Sequence, residues 1–155
     1  MRIIACLLAA ASLVACDGGG SEQVASSAPA QLAAITYDGA AAREPAAQIA
    51  HGKRLSLVLG CTGCHGDDLR GALFREQPGF GSLHAPNLPL RLAKYSDAQI
   101  ETTLRGGRRP DGREMWVMPS EMYAHLSKPD SAALIAYLRT VPPGGLGHDG
   151  PGSAP

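Results

Sequence analysis

Apolar residues recur along this chain in short stretches of helical period, separated by connections rich in glycine and proline. Over residues 45–59, Ile49, Leu55, Val58 and Leu59 form one apolar side. Pro45 suits a first helical turn, Ala46 and Ala47 favour helix, and Gly60 supplies a stop. Gly52 and Ser56 are small, so a second helix can approach closely there. Residues 66–95 read as loop, punctuated by Gly71, Pro78, Gly79, Gly81, Pro86 and Pro89. Ser96-Asp97-Ala98-Gln99 has the form of a capping box, and Ile100 with Leu104 continues it as a short amphipathic helix that Gly106-Gly107 ends. Another loop runs through Pro110, Gly112 and Pro119. A last helix starts near Ser127 with Pro129 and Asp130 in its first turn. It buries Ala133, Leu134, Ala136, Tyr137 and Leu138 and stops at Pro142-Pro143. No stretch shows the alternation of a strand and no segment repeats, so the expected class is all-α with about three to five helices.

The N-terminus follows a different pattern. Met1-Arg2 precedes an apolar run of 12 residues, 3–14, and then small residues. That order describes an export signal, and the run is well short of the ~20 residues a membrane-spanning helix needs. The alternative, a buried N-terminal helix, fits poorly with the polar, glycine-rich stretch that follows. Leu13-Val14-Ala15-Cys16 resembles the lipobox of bacterial lipoproteins, in which the cysteine becomes the lipidated first residue. Asp17 resembles the signal that retains such proteins at the inner membrane. The expected organisation is a signal over 1–15, a lipidated N-terminus and flexible linker over 16–44, one domain over 45–141 and a disordered tail over 142–155. The expected location is the periplasmic face of a Gram-negative cell, with a soluble periplasmic protein as the alternative.

Composition narrows the function. The 155 residues carry 14 basic and 14 acidic side chains, so nothing points to nucleic acid and no basic run marks a membrane-surface helix. Aromatic residues make up only 5 % of the chain. A domain this small, with so few large apolar side chains, gains from a staple or an apolar cofactor in its core. Cys6 falls in the signal and Cys16 is the lipid site, which leaves Cys61 and Cys64.

Those two belong to Cys61-Thr62-Gly63-Cys64-His65, the C-x-x-C-H signature of c-type haem attachment. The spacing follows from the chemistry. Each thiol adds to a vinyl group on one edge of the porphyrin, and two intervening residues let a single turn bring both sulfurs there. The adjacent His65 then reaches the iron. Zinc would want a second Cys or Cys/His pair at similar spacing, and His84 and His125 are isolated. A thioredoxin-like pair would sit at a strand-to-helix junction, whereas this motif follows a helix. Met115, Met118 and Met122 are candidates for a second iron ligand, with His125 behind them. Their spacing could mark a helical core stripe, but Pro119 interrupts a helix and holds Met118 in extended or turn backbone. Met118 is the preferred ligand.

Together these motifs resemble the class I cytochrome c family over about residues 45–141. The resemblance rests on the helix before the haem motif, on Cys61 to Gly66, on Ala85-Pro86-Asn87-Leu88, on Met118-Pro119, and on a terminal helix with Tyr137. The stretch from Ala132 to Arg139 is similar to cytochrome subunits of periplasmic dehydrogenases, which often carry three such domains where this chain has one motif. The resemblance implies a cytochrome c fold around one covalent haem c, with His65 and Met118 as axial ligands. It implies that the Pro86 carbonyl accepts a hydrogen bond from His65, and that the terminal helices cross with Leu134 and Tyr137 near Gly52 and Ser56. The Trp116 indole N–H or the Arg108 and Arg109 guanidiniums can bond a haem propionate; the alternatives are packing on the ring for Trp116 and a solvated loop for the arginines. His51, His84, His125 and His148 are expected to be surface or structural residues. The expected function is single-electron transfer between redox proteins: a periplasmic dehydrogenase or bc-type complex as donor, a terminal oxidase or a reductase as acceptor, the chain itself a monomer or a subunit. The alternatives are a haem domain of a larger complex and a gas- or peroxide-binding protein with an open sixth site.

Overall fold

A computed structural model describes residues 33–145 apart from Phe80. The expected signal, Cys16, most of the linker and His148 with the end of the tail lie outside the described residues. The elements run α1 (Pro45–Val58), α2 (Cys61–His65), β1 (Ala72–Gln77), β2 (Gly81–Ala85), α3 (Leu88–Leu92), α4 (Asp97–Gly106), α5 (Ser120–Ala124) and α6 (Lys128–Thr140). Three of the six helices among the described residues, α2, α3 and α5, are five residues long, which is why the sequence pattern points to fewer.

The three longer helices begin and end on local signals. Pro45 opens α1, and Gly60 follows it in the left-handed region at φ 76°. The Ser96 hydroxyl accepts from the Gln99 amide while the Gln99 side chain accepts from the Ser96 amide, so the capping box of α4 is complete. Gly107, also left-handed, ends it. The Ser127 hydroxyl accepts from the Asp130 amide at the start of α6.

The main helix crossing joins α1 to α6. Gly52 makes it possible: a Cβ there would lie 1.9 Å from the Ala133 carbonyl oxygen and 2.8 Å from the Tyr137 Cβ. The backbones therefore meet with no side chain between them. Leu55, Cys61, Leu69, Leu104, Tyr123, Leu134 and Leu138 form one buried cluster beneath this crossing, with Leu59, Leu88, Leu92, Met118, Tyr137 and Val141 packed against it. The architecture is the mostly helical one the sequence implies.

Small departures from the sequence reading are α3 within 66–95, Val58 exposed, Ala136 and Tyr137 only half-buried, and residues 142–145 held through the Pro142 and Gly144 carbonyls rather than in a disordered tail. Two features depart further. Residues 72–85, expected as loop, contain an antiparallel hairpin in which Ala72 pairs with Ala85 and Gln77 with Gly81, with an irregularity between Leu73 and Arg75. Most of β1 is exposed, so neither face carries an apolar period. The chain also packs onto the domain before Pro45. Ile35 forms a parallel bridge with Leu126, its amide donating to the His125 carbonyl at 2.6 Å and its carbonyl accepting from the Ser127 amide at 2.8 Å. The Tyr37 amide donates to Asp130 Oδ2 at 3.0 Å, and Arg54 donates to the Asp38 carbonyl.

Asp130 is the reason this strap has somewhere to bind. It is fully buried, and His51 Nε2 lies 2.6 Å from its Oδ1. The Ser127 hydroxyl donates to its Oδ2 at 2.6 Å. A buried carboxylate is tolerated only when its lone pairs are met, and three donors from three segments meet these. His51 is thus structural, as expected, and it is the buried partner of a residue far along the chain.

Candidate haem attachment site

The attachment motif is one helical turn. Helix α2 holds Cys61 to His65 between two left-handed glycines, Gly60 at φ 76° and Gly66 at φ 81°. Both thiols are free; Cys61 is buried and Cys64 is half-buried. Burial pushes the Cys61 thiol up to about 11, its own backbone hydrogen bond pulls the other way, and the neighbouring Cys64 raises it further. A disulfide-exchange pair needs a depressed thiol. Cys61 is shifted in the opposite direction, and among the described residues no βαβ unit surrounds it. Among the described residues no group of three His, Cys, Asp or Glu side chains is arranged to hold a metal ion, so zinc has no second half-site there.

His65 is fixed by its partner. Its Nδ1 lies 2.9 Å from the Pro86 carbonyl oxygen. A carbonyl can only accept, so Nδ1 carries the proton and Nε2 keeps its lone pair. Burial lowers the imidazole below its ordinary value and the Pro86 carbonyl partly offsets this. Burial thus favours the neutral ring, the form that ligates a metal. The Pro86 segment reaches His65 because Gly71 lets it pass: a Cβ on Gly71 would sit 2.9 Å from the Ala85 carbonyl and 3.1 Å from the Asn87 amide. The Gly71 amide in turn donates to the His65 carbonyl at 2.8 Å.

The other candidates separate in space. Met118 lies outside α5, as Pro119 predicts, and packs against the cluster that contains Cys61. Met122 is on α5 and 65 % exposed. Met115 is half-buried, with its amide donating to the Gly107 carbonyl at 2.8 Å. His125 is half-buried, and its carbonyl holds the strap. Trp116 is 91 % exposed on the same loop as Met118, and no contact places it against the core. Arg108 is exposed and pairs with Glu114 and the Gly112 carbonyl, which closes the loop between them.

Sequence reasoning passed over Tyr123. Its hydroxyl donates to the Leu59 carbonyl at 3.1 Å, tying α5 to the end of α1 just ahead of Cys61. Burial, followed by the nearby Cys61 and Cys64, pushes its phenol up to about 12. An aromatic residue near Met118-Pro119 was the only signal available.

Two free thiols on one turn, a half-buried imidazole whose Nδ1 is engaged by the Pro86 carbonyl and a thioether packed against the cluster that contains Cys61 form a donor set that fits haem c. Residues 49–142 match the family model for cytochrome c, and no curated protein matches the chain. With that match covering more than half of its length, the chain belongs to the cytochrome c family, whose covalently bound haem c serves electron transfer.

Proposed function

We propose that this cytochrome is a single-electron carrier of a periplasmic respiratory chain, with haem held through Cys61 and Cys64 and with His65 and Met118 as the two iron ligands. The observation that carries the reading is the His65–Pro86 bond, which engages Nδ1 and leaves Nε2 free to ligate, while Met118 packs against the cluster that contains Cys61. The haem iron, when bound, supplies a one-electron couple whose potential a thioether ligand raises. The chain's own residues do the rest. His65 and Met118 would hold the iron and leave no place on it for substrate, and the buried cluster keeps water away. Trp116 and Val117, exposed beside Met118, offer an apolar patch for brief contact with a donor such as a periplasmic dehydrogenase or bc-type complex, and with an acceptor such as a terminal oxidase.

The spectrum of the oxidised protein tests the ligand. The sulfur-to-iron charge-transfer band is expected to vanish in Met118→Ala and to persist in Met115→Ala. Persistence in both, or rapid binding of carbon monoxide to the reduced wild-type protein, would replace this reading with an open-site haem protein.

The lipid anchor rests on Leu13-Val14-Ala15-Cys16 alone. It would confine the carrier to the membrane surface and raise its effective concentration near membrane-bound partners. Cys16→Ser should move the protein from the membrane fraction to the soluble periplasmic fraction. An unchanged distribution would remove the anchor from the proposal.

A further inference from the structure

The segment behind His65 is held by a part of the chain that extends past the cytochrome c match. Asn87 follows Pro86 directly and is buried. Its Oδ1 accepts from the Leu90 amide at 3.1 Å, which caps α3. Its Nδ2 donates to the Gly144 carbonyl at 2.8 Å. A second tie lies alongside: Arg70 Nε donates to the Pro142 carbonyl at 3.3 Å, and its guanidinium lies against Gly144. The Leu88 amide donates to the Leu69 carbonyl at 3.0 Å. The Pro86 carbonyl thus has few ways to move. Ahead of it Gly71 packs on the backbone, behind it Asn87 is pinned from both ends of its amide, and residues 142–145 supply one of those pins.

From this arrangement we infer that Asn87 and the docked residues 142–145 form a positioning device for the iron ligand: they set the Pro86 carbonyl, and through it the donor strength of His65. The inference rests on the reading of His65 as a ligand. A carbonyl held in line with Nδ1–H draws that proton and makes the imidazole a stronger donor, which favours the oxidised state. Releasing Asn87 loosens the carbonyl, weakens the donor and favours the reduced state. The role implied by the motif Ala85-Pro86-Asn87-Leu88 stops at the Pro86 carbonyl. The chain extends it through one side chain to a segment near its C-terminus.

The test uses the full-length, haem-loaded protein and two variants. Asn87→Ser keeps a hydroxyl that can cap α3 and removes the reach to Gly144. Truncation after Val141 removes the Gly144 and Pro142 carbonyls and leaves Asn87 intact. Each variant should shift the reduced-to-oxidised ratio at a fixed poise about threefold toward reduced, ~28 mV at 59 mV per tenfold for one electron. Each should also speed solvent exchange of the His65 Nδ1 proton, read by NMR, by about tenfold. Combined, they should do little more than either alone, because both cut the same link. A loss of thermal stability with potential and exchange rate unchanged would make the contact merely structural and overturn the inference. Acidic acetone separates the two levels. If it strips haem from denatured wild-type protein, attachment through Cys61 and Cys64 falls, and with it the motif that makes His65 the ligand on which this inference rests. If wild type keeps its haem and neither variant moves the potential, only the positioning role is lost.

Discussion

Gly52→Ala should destabilise the protein by about 3 kcal/mol or more, at the upper end of what overpacking costs. Propensity alone predicts the opposite sign, because alanine in a helix interior is favoured over glycine by ~1 kcal/mol. The crossing decides. The added methyl would lie 1.9 Å from the Ala133 carbonyl oxygen and 2.6 Å from its carbon, both of them α6 backbone. No side-chain rotation relieves that contact, so the two helices must separate and the cluster of Leu55, Leu134 and Leu138 loosens with them. For a domain of this size ~3 kcal/mol lowers the melting temperature by more than roughly 10 °C. Gly106→Ala is the control: it is also helical, it lies outside the attachment turn, and a Cβ there meets nothing within 4 Å. Thermal unfolding of both variants followed by circular dichroism checks the prediction. Equal melting temperatures would mean that the helices are not in backbone contact.

Asp130→Ala should cost a similar amount, roughly 3–5 kcal/mol, because it leaves His51, the Ser127 hydroxyl and the Tyr37 amide without the acceptor they share. The acid dependence is the sharper readout. Burial by itself would raise the Asp130 carboxyl. The Ser127 hydroxyl, His51 and the Tyr37 amide outweigh it and hold the group below the usual carboxylate range. A depressed carboxyl stabilises the fold at pH above its unfolded value of ~3.9, and that contribution drains away as pH falls further toward the folded value. The margin of wild type over Asp130→Asn in urea unfolding should therefore be constant above about pH 5 and shrink below about pH 4. A margin that does not change down to acid unfolding would show that the carboxylate's charge contributes nothing. The strap gives a second readout, since amide exchange at Ile35 and Tyr37 should quicken in either variant.

The readable parts of this molecule were those written in local chemistry. The capping box at Ser96 and Gln99, the cap at Ser127, the stop at Gly60 and the break at Pro119 each act within a few residues, and each lies where its residues predict. The small side chain of Gly52 foretold a close crossing because only glycine leaves that room. The hairpin was illegible for a physical reason. Residues 72–77 are mostly exposed, lack β-branched side chains and carry an irregularity, so no alternation records their pairing. The strap was hidden because its partners are remote: Ile35 bridges to Leu126, and Tyr37 is held by a carboxylate that itself looked like an ordinary helix-start acid. Of the candidate site, the residues on one turn were plain from their spacing. The bond between His65 and Pro86 was implied only by resemblance, and the hold of Gly144 on Asn87 was not foreseen at all.

The α1–α6 crossing also fixes an order of events during synthesis. Ribosomes deliver α1 and the turn from Cys61 to His65 well before α6, which begins only at Lys128. Until that later helix arrives, Gly52 faces nothing and the side of α1 bearing Leu55 stays wet. Closing so long a loop carries an entropic penalty that no contact has yet offset. A chain that has not yet brought α6 to α1, whether leaving the ribosome or emerging after export, should keep both sulfhydryls open to the enzyme that joins them to porphyrin, and compaction should follow once Ala133 meets Gly52.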